Sequence, residues 1–244
     1  MQLTLTPPTL EQPTLRVGTW NTEWHGPRSK AGPTVARCLA GLAAHVLCVT
    51  EGFAQILPGG GHVIRAEADY GYPIKEGRRK VLLWSRQPWT EVDPVGSFEL
   101  PSGRFVSGVT DTPLGPLRFI GVCIPWSAAH VSSGRRDRQR WEDHLAFVAG
   151  LQSILAHFSD HGRMVVSGDF NQRMPRLGST VPKRVSEALE EAVSELTVST
   201  RGNPHKLIDH IAHTPDLATE SVLSWALTLG DRGRASDHCG VVAD

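Results

Sequence analysis

Between residues 104 and 124 the chain reads RFVSGVT, then DTPLGP, then LRFIGVCI. Two strand-like runs separated by only a turn-rich linker form a hairpin, and hence an antiparallel pair. Elsewhere the same chain puts amphipathic helices between strands. Val35, Leu39, Leu42 and Ala43 share one helical face in residues 34–45, between the strand-like LRVGTW (15–20) and the buried run VLCVT (46–50). Trp141, Leu145, Val148, Leu151 and Leu155 form a second stripe ahead of RMVVSGD, and Val185, Leu189, Ala192 and Leu196 a third. KVLLWS (80–85), KLIDHIAH, SVLSWALTL and CGVVAD supply further strands. Hairpins together with strand–helix–strand passages require mixed sheets covered by helices.

At 244 residues the chain can bury a substantial core without disulfide staples. No composition shift or repeat divides it, so one domain is expected over residues 15–244. An extended arm is expected over residues 1–14, which carry Pro7, Pro8 and Pro13. Lys plus Arg and Asp plus Glu both number 25, which argues against a protein that coats nucleic acid by charge alone. A local basic groove balanced by acidic residues remains compatible with that total. The four cysteines, Cys38, Cys48, Cys123 and Cys239, form no C-x-x-C pair, so a zinc ribbon is not expected. The first residues lack a charged and an apolar signal region, and no apolar run reaches membrane-span length. A reduced, cytoplasmic setting with no membrane and no obligate protein partner is the expectation.

Four segments share one pattern, an apolar strand with acids or amides near its end. They are TWNTEW with Asn21 and Glu23, VLCVTEG with Glu51, VVSGDFN with Asp169 and Asn171, and RASDHCGVV with Asp237 and His238. LIDHI adds Asp209. A strand gives rigid support, and its end delivers a side chain into a cleft. Carboxylates converging there repel one another unless protons or a cation intervene. Their hard oxygens suit Mg²⁺ or Mn²⁺ better than zinc. Singly, each motif is also an ordinary turn or cap sequence; the force lies in their order and strand context.

In that order, Asn-x-Glu, the Glu after LCVT, G-D-x-N, I-D-x-I and S-D-H resemble the endonuclease/exonuclease/phosphatase superfamily. That group includes pancreatic-type DNases, abasic-site endonucleases, tyrosyl-DNA phosphodiesterases, sphingomyelinases and inositol-phosphate phosphatases. The likeness runs from about residue 15 to the C-terminus, nearly the whole chain. It implies an α/β sandwich of two facing mixed sheets flanked by helices. It further implies that Glu51 is the primary metal ligand, with Asn21 and Glu23 completing or orienting the site. Glu23 is one methylene longer than the aspartate many relatives carry. Asp169 would take a proton from the attacking water, and Asn171 would hold that water or the phosphate. His238 would meet the phosphoryl oxygens with its ring oriented by Asp209, and Asp237 would be a second metal-side or orienting carboxylate. The implied activity is phosphoester hydrolysis with Mg²⁺ or Mn²⁺, and nucleic acid is the expected substrate. A phosphomonoesterase for a small or lipid head-group phosphate, or an impaired binding module, are the alternatives.

The chain departs from the pattern at one place. Relatives usually carry a histidine or tyrosine near the end of the mid-chain strand, where this chain has Cys123. Cysteine supplies neither that hydrogen bond nor that charge. Either His130 reaches back, or the chain works without the group. SGRRDRQRW (133–141) follows directly, and Arg135 and Arg136 are candidates for backbone phosphates. Pairing within the segment is the competing expectation.

Overall fold

The computed structural model describes residues 13–159, 162–228 and 235–244. Most of the expected N-terminal arm, residues 1–12, therefore lies outside the described residues. In chain order the elements are β1 (Val17–Asn21), α1 (Gly32–Gly41), β2 (Val46–Phe53), β3 (His62–Arg65), β4 (Arg78–Ser85), β5 (Trp89–Asp93), β6 (Phe105–Thr112) and β7 (Gly115–Cys123). They continue with α2 (Glu142–Ser159), β8 (Met164–Asp169), α3 (Lys183–Ala192), β9 (Thr197–Val198), β10 (Asp209–His213), β11 (Val222–Trp225) and β12 (Gly240–Ala243). They form two six-stranded sheets, ordered β11-β12-β1-β2-β4-β3 and β5-β6-β7-β8-β10-β9. The pairs β1/β2 and β7/β8 are parallel, and the remaining ladders are antiparallel. The architecture is the expected α/β sandwich of mixed sheets.

Alternation along the strands builds three apolar layers. Val17, Cys48, Val81 and Leu83 of the first sheet face Val106, Phe119, Val165 and Ile211 of the second, forming the sandwich interior. On the outer face of the first sheet, Leu47, Val49 and Leu82 pack under Val35 and Leu39 of α1. On the outer face of the second, Ile120, Val122 and Val166 meet Phe147, Leu151 and Leu155 of α2 and Leu189 of α3. The 104–124 hairpin is as expected, with Thr112 opposite Gly115.

Several details differ from the sequence expectations. Helix α1 stops at Gly41, and Ala43 is exposed with φ +52°, so it is not on the buried face. Trp141 precedes α2 with φ +71° and packs edge-on against His144. Leu196 follows α3 rather than belonging to it, yet still packs against the outer core of the second sheet. Strands β3, β5 and β9 have no counterpart in the expected set. All three are edge strands, where polar and charged residues replace the apolar run that marks a central strand.

Candidate active site

Side-chain alternation carries straight to the site. Val17 faces the sandwich interior, so Asn21, four residues on, does too. Val165 likewise aligns Asp169, and Ile211 aligns Asp209. These three side chains come from the last or first residue of a strand, so they meet between the sheets at one edge. The β8–β10 register sets Asp169 directly opposite Asp209. Gly168, just before Asp169, lets β8 approach β7 on its other side. Its φ is +142°, and a Cβ there would lie 1.9 Å from the Val122 carbonyl oxygen. Glu23, Trp24, Glu51 and Asn171 all adopt positive φ. Such strain collects where surrounding structure holds side chains for function, and asparagine tolerates it best.

The hydrogen bonds interlock. Asp169 Oδ1 accepts from the Asn171 backbone N–H at 2.8 Å, and its Oδ2 accepts from Asn21 Nδ2 at 3.1 Å and Asn171 Nδ2 at 3.0 Å. Asn171 Nδ2 also donates to the Ile124 carbonyl at 2.8 Å. The Asn171 amide oxygen has no partner among the described residues. Asp209 Oδ1 accepts from the Asn21 backbone N–H at 3.1 Å, and its Oδ2 lies 2.5 Å from His238 Nδ1. Ser236 donates to the Asn21 carbonyl and accepts from the His238 N–H, tying the last loop to β1.

Electrostatics divide these groups into roles. Burial would lower the His238 pKa, but its hydrogen bond to Asp209 and that carboxylate's charge prevail and raise it to about 10. Burial, reinforced by the nearby Asp209 and Glu51 charges, pushes Asp169 up to about 7. Asp209 is also raised by burial, with His238 opposing. The site thus pairs a cationic imidazole with a carboxylate of raised basicity, a combination suited to proton transfer.

Asp169, Asp209 and His238 bring one ligand atom each within 4.8 Å of one another. Their oxygens already accept protein hydrogen bonds and Nδ1 is engaged by Asp209, which suits proton handling better than metal ligation. The remaining acidic residues lie to one side. Glu51 Oε1 is paired with Lys80 Nζ, and the Glu51 side chain is 20% exposed. Glu23 and Asp237 face each other, and partial desolvation followed by the Asp237 carboxylate raises Glu23 to about 7. Asn21 Oδ1 accepts from the Glu23 N–H at 3.0 Å. The structure does not gather Glu51, Glu23 and Asp237 into one tight cluster. A crowded carboxylate pair beside an oxygen-only donor set is nevertheless what a hard divalent cation relieves, so these residues fit Mg²⁺ or Mn²⁺.

His130 does not reach back toward Cys123. It is buried, its Nδ1 is paired with Asp143, and its ring lies 4.8 Å from that of Tyr72. Cys123 is buried opposite Asp169, and burial holds its thiol strongly protonated. In the basic loop, Arg135 pairs with Asp137 and Asp143, and Arg138 bonds Asp143 at 2.7 Å. Arg136 is exposed with φ +58° and has no ion pair among the described residues. Much of this loop's charge is therefore spent internally.

A buried polar chain behind Asn171 is not apparent in the sequence. His144 bonds the Pro125 carbonyl at 2.7 Å and the Gln172 side chain, and Gln172 also contacts the Val185 carbonyl. His210 bonds the Gln172 carbonyl at 2.9 Å and Thr200 Oγ1 at 2.7 Å. Burial lowers both imidazoles from 6.5 to about 4. Between those values the unfolded chain binds protons that the folded chain refuses, so stability falls as pH drops from about 6.5 toward 4. The raised carboxyl of Asp169 works in the opposite direction, so the comparison must be internal. The fall in melting temperature from pH 7 to pH 4.5 is expected to be shallower in His144→Gln than in the unsubstituted protein. An identical slope would mean that His144 does not stay neutral in the folded state.

The chain matches the Endonuclease/Exonuclease/phosphatase family over residues 18–238. It belongs to that family. Among solved structures it is similar to a 3′ phosphatase, NExo, from Neisseria bound to a product DNA hairpin. The TM-score is 0.68 at 19% identity, covering 95% of this chain and 99% of that one. An AP endonuclease from Archaeoglobus fulgidus gives a TM-score of 0.68 at 17% identity, covering 95% and 99%. An endonuclease/exonuclease/phosphatase from Beutenbergia cavernae gives 0.63 at 19%, covering 94% and 70%. At these identities the likeness is one of fold. No curated protein sequence matches the chain. Among the described residues, no helix is long and apolar enough to cross a membrane.

Proposed function

We propose that the protein is a divalent-metal-dependent phosphodiesterase that hydrolyses nucleic acid by water attack. The observation that supports this reading is the Asp209–His238 pair beside Asp169, a fixed imidazolium next to a basic carboxylate in one cleft. Asp169 takes a proton from the water as its oxygen bonds to phosphorus and the ester P–O bond breaks. The Asn171 amide oxygen, unpaired among the described residues, accepts from the water's other hydrogen and sets its direction. His238 turns Nε2 to a phosphoryl oxygen, where its charge offsets the negative charge that grows in the transition state. Glu51, with Asn21, Glu23 and Asp237, would hold Mg²⁺ or Mn²⁺, which supplies Lewis-acid polarisation of the phosphoryl group. Arg136 and Arg140, exposed and without an ion pair among the described residues, are the arginines of the basic loop left to meet a second backbone phosphate.

The NExo structure is described as a 3′ phosphatase, which makes a terminal phosphomonoester the second substrate to test. The test is a panel of plasmid DNA, single-stranded DNA, RNA, a 3′-phosphorylated oligonucleotide and a chromogenic phosphodiester, each with Mg²⁺, with Mn²⁺ and with excess chelator. Chain cleavage in metal and none in chelator is the expected result. Full activity in chelator would remove the metal. Release of inorganic phosphate alone would replace the diesterase by a monoesterase. Binding without turnover of any substrate would leave a binding module.

A further inference from the structure

Lys80 is the cation that the sequence pattern does not single out. It lies directly opposite Glu51 in the β2–β4 ladder, since Thr50 pairs with Val81 and Gly52 with Arg79. The residue is 7% exposed. Its ammonium is paired with Glu51 Oε1 and sits 5.2 Å from the Trp24 ring centroid and 5.5 Å from that of Tyr70. Those two rings are stacked at 5.7 Å, and the Trp24 N–H donates to the Glu51 carbonyl at 2.6 Å. A carboxylate and two aromatic faces therefore enclose one ammonium, while the same carboxylate is reachable from the cleft.

We propose that Lys80 is a resident cation at Glu51 that competes with the divalent metal for that carboxylate and so weakens metal binding in the substrate-free protein. Its role rests on the reading of Glu51 as a metal-side residue given above. One carboxylate cannot satisfy an ammonium and a divalent ion equally. Repulsion between the two cations is least screened where water is sparse, as it is around a side chain this buried. Trp24, which also carries Arg78 at 4.8 Å, and Tyr70 already lie within cation–π distance of the ammonium and would go on attracting it when a metal takes the carboxylate. A phosphate arriving in the cleft adds negative charge for both cations, so metal and substrate should bind with positive coupling.

The test is Mn²⁺ binding to substrate-free protein, followed by calorimetry and by the metal-induced rise in melting temperature. The proteins are wild type, Lys80→Met, Lys80→Arg, Glu51→Gln and the double variant Lys80→Met/Glu51→Gln. Lys80→Met keeps the bulk and loses the charge, and is expected to bind Mn²⁺ at least about tenfold more tightly. Lys80→Arg keeps the competing charge beside Glu51 and should stay within about threefold of wild type. Adding Glu51→Gln to Lys80→Met should abolish the gain. Equal or weaker binding by Lys80→Met would overturn the competition while leaving Glu51 as a ligand. Binding indifferent to Glu51→Gln in both backgrounds would overturn the metal's placement, and the competition with it. Lys80→Gln serves the same comparison if circular dichroism shows that Lys80→Met does not fold.

Discussion

Asp169→Asn is expected to lower turnover by about 10²- to 10⁴-fold, the usual effect of losing a positioned base. Substrate affinity should change far less. The amide can still accept from the Asn171 N–H, but where Oδ2 now receives Asn21 Nδ2 and Asn171 Nδ2 it would present a third N–H₂ group. Some loss of stability is therefore expected alongside the loss of rate. Single-turnover rates and binding of substrate in chelator separate the two effects. Near wild-type turnover would reduce Asp169 to a turn residue, and the water-attack chemistry would need another base.

The largest structural effect is expected one residue earlier, at Gly168→Ala. The new methyl would meet the Val122 carbonyl oxygen, with the backbone at φ +142°, a region side chains rarely adopt. Neither partner can yield easily, because Val122 and Gly168 are matched residues of the parallel β7–β8 ladder. A cost of about 3 kcal/mol or more follows from overpacking and backbone strain together. For a domain of this size that is a fall in melting temperature of roughly 6–12 °C. Activity should fall as well, because the strand that must move carries Asp169. A melting temperature within about 2 °C of wild type would show that β7 and β8 part without cost at this point.

Gly168 explains why G-D-x-N is readable in a sequence at all. The glycine permits close approach of two strands, the aspartate occupies the last ladder position, and the asparagine accepts the positive φ of the turn. Each residue answers a local backbone demand, so the motif survives as a short string. Asp209 and His238 are legible for the same reason, since each abuts a strand made plain by its apolar run. The central strands and the helices are visible through periodicity. The edge strands β3 and β5 are not, because they are short, mix polar with apolar residues and bury no side chain fully.

What stays hidden is whatever depends on register between distant segments. Lys80 reads as the head of an apolar run and becomes a partner of Glu51 only through the β2–β4 pairing. Trp24 and Tyr70 are far apart in the chain and stack only in the folded protein. His144, Gln172 and His210 look like scattered polar residues until burial aligns them. The pairing of Arg135 and Arg138 with Asp143 likewise requires α2 to dock beside the loop.

The seam between β1 and β12 bears on how the chain acquires its structure. Thr19 pairs with Val241, and Arg16 clamps Asp244 through bonds of 2.6 and 2.8 Å, so the earliest described strand is flanked by the latest. Closing so wide a loop carries an entropic barrier that local helix formation does not lower, and chains of high contact order fold slowly. His238 arrives only with that closure, since Ser236 ties its loop to Asn21. During refolding, far-ultraviolet ellipticity should return before hydrolytic activity, and activity should return in step with the seam. A collapsed intermediate holding every helix would have Asp169 and no imidazolium beside it, and under the proposed function it would be inactive.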